Sequence, residues 1–339
     1  MANLITHALS YSKEDAMKYF LQPLFVGNSA LDYFEIMTGV KSTQKLDKFG
    51  SYEKITLAEA SGFAGATGAA SYTQRTISVA RMEAEVEQAG GAFWNSIKGE
   101  LLRTGNNKDD ISGTKIQGIV ADIMMRGVKR DMERQLWFGH TASAGASAAH
   151  YTPYNGIFTA LQGLPAAQKL SIASGALAAN AAQAEFDAQI LAMPNEGLEN
   201  RADLVFFATR SMCDNYRATL SATATDSSYN ALVNGVPTLA YQGIPIVEMG
   251  LWDSVIAADG GAGTDHLAQS VNTVANEFDG HISVLTVKNN ICVATDYDSV
   301  SGADMWYDKK DKFNRFRFEY VIGVNYKNDE LTVVSDSNA

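Results

Sequence analysis

Between Lys115 and Phe138 the chain reads KIQGIVADIMMRGVKRDMERQLWF, with apolar residues at Ile116, Ile119, Val120, Ile123, Met124, Val128, Met132 and Leu136. Steps of three and four place these on one stripe of an α-helix. Asp122 with Arg126, and Lys129 with Glu133, can pair one turn apart on the wetter side. No proline interrupts the run, and Gly127 is its one weak interior residue. Ser112 or Thr114 is placed to cap the start and Gly139 to stop it. At about 1.5 Å per residue the rod is roughly 36 Å long. A single apolar stripe of that length requires a sheet or a neighbouring domain across it.

A period of two dominates elsewhere. In FNRFRFEYVIGVNYKNDELTVV, Phe316, Phe318, Tyr320, Ile322, Val324 and Tyr326 point one way, and Arg315, Arg317, Glu319 and Val321 the other. This aromatic strand is the expected partner of the helix. Residues 47–90 predict two more strands, which would join the same sheet. FGSYEKITL alternates Tyr52, Lys54 and Thr56 against Ser51, Glu53, Ile55 and Leu57, and YTQRTISVARMEAEVEQ alternates through Ile77 and Val79. Between them lies SGFAGATGAAS, a tip with Gly62, Gly65, Gly68 and one Phe63. A hairpin this long exposes more strand edge than a lone monomer tolerates, so it is expected to lie on a neighbour.

Residues 1–40 carry short amphipathic patches, Ala16 to Phe25 and Ala30 to Met37, around Pro23 and Gly27. They read equally as an arm packed on something else or as a helical hairpin of the main fold. Residues 139–156 form a small-residue loop, and GIFTALQ is read as a short strand. The alanine-rich stretch 166–194 predicts a helix from Gln183 to Met193 ended by Pro194. The continuous apolar run Leu204 to Ala208 predicts a buried strand, followed by a helix capped by Ser211 and bearing Met212, Tyr216 and Leu220. With YQGIPIVEM and ISVLTVKNNICVATDY this is an α/β segment around a central sheet.

The 339 residues suffice for two domains or one elaborated domain, and 46% hydrophobic with 19% charged residues marks a folded chain. A net charge of −11 argues against a protein whose main work is gripping nucleic-acid phosphates. Cys213 and Cys292 are far apart in apolar settings, which predicts two buried thiols in a reducing compartment and no zinc or disulfide framework. The N-terminus lacks the pattern of a signal peptide and no run of about 20 apolar residues spans a bilayer. The expectation is a protein made in a cytoplasm, working there or in something assembled there.

Candidate chemistry is sparse. His7, His140, His150, His266 and His281 are scattered without metal-ligand spacing, and neither HExxH nor G-x-S-x-G occurs. No Lys-Ser/Thr pair follows the glycine-rich tip, which removes the phosphate-loop reading. Asp296, Asp298 and Gly302 read as a turn with solvated acids, because the positions of a calcium loop are not met. Glu83, Glu85 and Glu87 read as a wet strand face. Lys309, Lys310, Lys312, Arg315 and Arg317, interleaved with Asp308 and Asp311, read as an intersubunit ion-pair set. No catalytic, cofactor-binding or metal-binding residue is expected.

The order of these parts, with the closing run GIPIVEMGLWD, ICVATDY and the aromatic strand, resembles the major capsid proteins of tailed double-stranded DNA bacteriophages (Caudoviricetes), the HK97-like fold. The resemblance implies an α+β chain with an N-terminal arm over 1–45 and an extended β-hairpin, the E-loop, over 46–90. A peripheral domain over 91–159 would hold the spine helix 115–138. An axial α/β domain would occupy 160–295, and 296–339 would return beneath the helix and form the C-terminal tail. It implies a structural, non-enzymatic, self-assembling subunit of an icosahedral virion capsid, assembled in the bacterial cytoplasm, with pentamers and hexamers of the same chain as its main contacts. Portal protein, a scaffold or decoration protein, and non-specifically contacted packaged DNA would be partners, and membranes would not. No cofactor is implied. The chain leaves no room for an N-terminal scaffolding region, so a separate scaffold, or none, is implied. Assembly residues would include Gly62, Phe63, Gly65, Gly68, Lys54, Arg315 and Arg317. Lys54 lies in the hairpin, but no asparagine is identified for the isopeptide cross-link of one subgroup. Alternatives are an encapsulin-like cargo shell, a soluble α/β enzyme using the glycine-rich loop, and a tail-tube or decoration subunit.

Overall fold

The structure is a computed structural model and describes residues 30–49, 72–89, 115–143, 148–173, 176–199, 201–222, 239–259, 280–296 and 304–338. In chain order these form β1 (Glu35–Thr38), β2 (Thr43–Phe49), β3 (Tyr72–Ser78), β4 (Ala80–Ala89), α1 (Lys115–Phe138) and α2 (Ile157–Leu161). Next come β5 (Lys169–Ala173), α3 (Ala181–Ala192), α4 (Asn195–Glu199), β6 (Leu204–Ala208) and α5 (Arg210–Ala222). Then follow β7 (Leu239–Tyr241), β8 (Ile244–Glu248), α6 (Gly250–Asp259), β9 (Ile282–Val287) and β10 (Ile291–Thr295). The chain closes with β11 (Asp304–Asp308), β12 (Phe313–Tyr326) and β13 (Thr332–Asn338). The predicted residues 50–71 of the hairpin, with Lys54, Gly62, Phe63, Gly65 and Gly68, lie outside the described residues, as do 1–29 of the N-terminal arm.

Two larger sheets organise the molecule. One runs β1-β10-β12-β11 with β4 paired to β12; the other runs β5-β13-β9-β6-β8-β7. In β12 every second residue from Phe316 to Tyr326 is buried, as its alternation predicts. Its face packs in one core with Met124, Val128, Met132 and Leu136 of α1. Those four are spaced by four, a narrow ridge, and Ile123 lies one residue off it with 62% of its surface exposed. The expected stripe is therefore narrower than the apolar residues suggest. Side chains before Ile123 fall outside the described set. Trp137 and Phe138 close the helix in an aromatic cluster, with Trp137 4.6 Å from Trp252 and 5.5 Å from Phe207 between ring centres.

Gly139 ends α1 by close approach. A Cβ there would lie 2.6 Å from the carbonyl oxygens of Gln135 and Tyr154, and Gly156 N–H donates to Gly139 O at 2.7 Å. The segment after Gly156, read from sequence as a strand, is the helix α2. Ile157, Phe158 and Leu161 are buried, a spacing that fits a helical turn and that five residues are too few to settle by pattern.

The six-stranded sheet is covered on both faces. Leu204, Phe206 and Ala208 of β6 pack with Phe186 of α3 and Met212 and Tyr216 of α5. Val205 and Phe207 enter the core shared with α1 and α6. This is why Leu204–Ala208 is apolar without alternation. Gln242 (φ 49°) and Gly243 (φ 81°) make the two-residue turn between β7 and β8. β5, within the alanine-rich stretch, escaped sequence reading. β13, expected with β12 beneath the helix, instead lies between β5 (parallel) and β9 (antiparallel). Thr332 to Asp336 are all buried, and such a strand needs a central place in a sheet with both faces covered.

Candidate assembly surface

The strand that supplies β4 to the five-stranded sheet also builds a limb. One residue, Val79, separates β4 from β3, and β3 pairs antiparallel with β2 as a two-stranded ribbon. Leu46 and Ile77 tuck against Val40, Cys292 and Ala294, while Tyr72, Thr73, Gln74 and Thr76 are exposed. Where the ribbon leaves the sheet it crosses β12 at Gly323, whose missing side chain makes room for the backbone of Ser78 and Val79. Asn325 Nδ2 donates to Thr76 O at 2.8 Å beside that crossing. Tyr72 Oη donates to Asp47 Oδ1 at 2.7 Å across the ribbon, and that bond raises the tyrosine's pKa.

Behind the ribbon, β4 and β12 carry a ladder of opposite charges. Arg315 meets Glu87 at 3.2 Å, Asp308 at 2.7 Å and Asp311 at 2.9 Å. Arg317 meets Glu83 at 2.9 Å, Glu85 at 3.2 Å and Glu319 at 2.6 Å. The register of the two strands puts Arg315 opposite Glu87 and Arg317 opposite Glu85, with Glu83 two positions along opposite Glu319. Hydrogen bonds donated to Glu87 and Glu83 raise the pKa of Arg315 and Arg317 respectively. Asp308 is lowered first by the Lys310 amide. The acids read as a merely wet face and the arginines read as an intersubunit set thus satisfy one another within the chain. Sequence spacing could not reveal the glutamate partners on β4, which lie more than 200 residues from the arginines.

Between β4 and α1 runs a groove of ≈ 610 Å³ lined by Met82, Glu83, Val86, Met124, Val128 and Tyr320 among others. Ile123 stands exposed on the same helix. Burial raises the pKa of Glu133 on α1, against the pull of Lys129 one turn away.

Several described groups with reactive potential make contacts within the fold. Ser211 Oγ lies 2.7 Å from His281 Nδ1, a contact hidden in the sequence by 70 residues of separation. The nearby Asp253 accepts from the amides of Arg210 and Ser211 at 2.7 and 3.3 Å. It therefore caps α5, the role expected of Ser211 itself, and its contacts are to those amides rather than to the imidazole. Burial pushes the Cys213 and Cys292 thiols up to about 12. His140 Nδ1 accepts from Ala142 N–H at 3.2 Å, and burial lowers its pKa. Among the described residues no group of three or more His, Cys, Asp or Glu is placed to hold a metal, and no helix is long and apolar enough to cross a membrane.

A long helix on an aromatic sheet, a projecting ribbon and a second sheet covered on both faces define an HK97-like α+β capsid fold, the class expected from the sequence. Three solved structures are similar over almost the whole chain. A chain of the satellite phage P4 procapsid including size determination (Sid) protein matches at TM-score 0.55 and 10% identity, covering 98% of this chain and 93% of that one. A chain of Mycobacterium phage Ogopogo matches at 0.55 and 10%, covering 92% of both. The capsid structure of cyanophage P-SCSP1u matches at 0.51 and 11%, covering 99% of both. No family profile and no curated protein sequence matches the chain.

Proposed function

We propose that this chain is a non-enzymatic, shell-forming subunit, the major capsid protein of a tailed double-stranded DNA phage. The observation that carries this reading is the near-complete mutual coverage with phage capsid chains. The five-stranded sheet with α1 would serve as the peripheral domain and the six-stranded sheet as the axial domain around five- and six-fold positions. The ribbon and the N-terminal arm would overlap neighbouring copies. Each interface can be modest because many of them close one shell. The net charge of −11 suits an inner wall to which packaged DNA must not adhere. Portal, scaffold and decoration proteins would be partners, with assembly in the host cytoplasm and residence in the virion.

Negative-stain electron microscopy of the recombinant full chain tests the proposal. Closed isometric particles are expected, empty or accepting DNA at a portal vertex. Helical tubes would favour a tail-tube subunit, cargo-filled shells an encapsulin-like container, and monomers under every condition would reject shell formation.

A further inference from the structure

The ribbon β2–β3 is held to the body by two chain connections, a small apolar footing, the Asn325–Thr76 hydrogen bond at the Gly323 crossing, and a set of polar contacts farther out that end on one turn. Residues 39–42 and Val79 join it to β1 and β4, and among the described residues neither of its strands pairs with the larger sheets. Its apolar footing is Leu46 and Ile77 at the near end. Farther out, Lys48 forms an ion pair with Glu330 and donates to Asn328 Oδ1 at 2.7 Å. From β3, Arg75 donates to Asp329 Oδ1 at 2.6 and 3.1 Å, with its guanidinium 3.9 Å above the ring of Tyr326. Asn328, Asp329 and Glu330 are consecutive, in the turn that carries the chain from β12 in one sheet to β13 in the other.

We propose that this turn is an electrostatic latch that sets the angle of the ribbon to the body. Releasing it lets the ribbon swing about residues 39–42 and Val79 while both larger sheets stay folded. The inference rests on the shell reading for its purpose, since the ribbon is the limb offered there to a neighbouring copy. The Asp329 and Glu330 side chains are 40% and 43% exposed. Ion pairs so open to water are weak and screened by salt, as a reversible catch requires. Glu196 of α4 completes the arrangement. Its carboxyl shares a hydrogen bond with Glu330, which raises the pKa of Glu196, while Glu330 is held down first by Lys48. Of the two carboxyls, Glu330, the one that faces the lysine, is thus the more readily ionised. At the near end, the Gly323 crossing fixes the pivot.

Nitroxide labels at Gln74→Cys and Lys288→Cys, both exposed positions, report the ribbon-to-body distance in unassembled full-length subunits. The native cysteines are buried and stay unlabelled. One narrow distance peak is expected. Asp329→Asn with Glu330→Gln should broaden or shift it. About 1 M salt, where the screening length falls to about 3 Å, should do the same to the parent. The exchange Lys48→Glu with Glu330→Lys keeps opposite charges facing and gives Glu196 a cation, so it should restore the narrow peak. An unchanged peak in the neutralised variant overturns the latch. Should that variant fail to fold, a parent peak unaltered across the salt series overturns it equally. Micrographs of the same preparations read the shell proposal separately. An opening ribbon on chains that never assemble rejects the shell and keeps the latch, whereas rigid ribbons on assembling chains reject the latch alone.

Discussion

β3 and β4 are one strand broken at a single residue, yet the halves are held by different physics. In β4, Met82, Ala84 and Val86 face α1 and the aromatic side of β12 within the main core. Ten registered positions bind β4 to β12. In β3, Ile77 is the one fully buried residue, and the outer contacts are partly exposed ion pairs. Burial of apolar area contributes roughly 25 cal/mol per Å², whereas an exposed ion pair contributes about 0–1 kcal/mol. The chain thus puts its strong interactions into the body and leaves the limb on weak ones. The lesson is that alternation alone marks a strand, while the identity of its inward residues decides how strongly it is anchored.

The sharpest way to break this contrast is Phe316→Asp. The side chain is 1% exposed between sheet and helix. A buried charge there is expected to cost more than about 4 kcal/mol, seen as loss of folded protein and of a cooperative melt. A variant melting like the parent would refute the placement of β12. Phe207→Ala should cost about 3–5 kcal/mol in urea unfolding. Its ring meets Tyr33, Phe34 and Trp137, so this variant asks whether the two sheets share one core. A loss below 1 kcal/mol, the scale of a surface change, would separate them.

Gly323→Ala presses a methyl group onto the Ser78 backbone. It should cost about 1–3 kcal/mol, with amide-exchange protection lost around residues 76–80 and retained in β6 and β9. Uniform loss of protection would deny a local pivot. Ile123→Ser should shift stability by less than about 0.5 kcal/mol, since the residue is exposed; a larger loss would put it back on the packed stripe. Deleting Gly62 to Gly68 should change the melting temperature least of all while preventing closed particles in electron micrographs. Normal particles would remove the hairpin from assembly.

Much of the fold was legible because it repeats. The limits of α1, the run Leu204–Ala208 and the alternation of β12 were all readable, each long or uniform enough for its period to dominate. α2 was misread and β5 missed because five residues carry too little pattern. Of the residues expected at the assembly surface, Arg315 and Arg317 are in view, and their glutamate partners on β4 within the chain were invisible because charge pairing across strands depends on register. The Ser211–His281 contact and the latch on Asn328–Glu330 were hidden for the same reason.

By itself the sequence determined which segments bury one face and which bury two, since periodicity and composition are local properties of the chain. The tertiary structure decided which strand lies beside which. Only there did β13 leave its neighbour for the other sheet, did three glutamates acquire arginines, and did a turn between sheets come to hold the ribbon. Those outcomes depend on contacts between residues tens to hundreds of positions apart, and no local pattern encodes them.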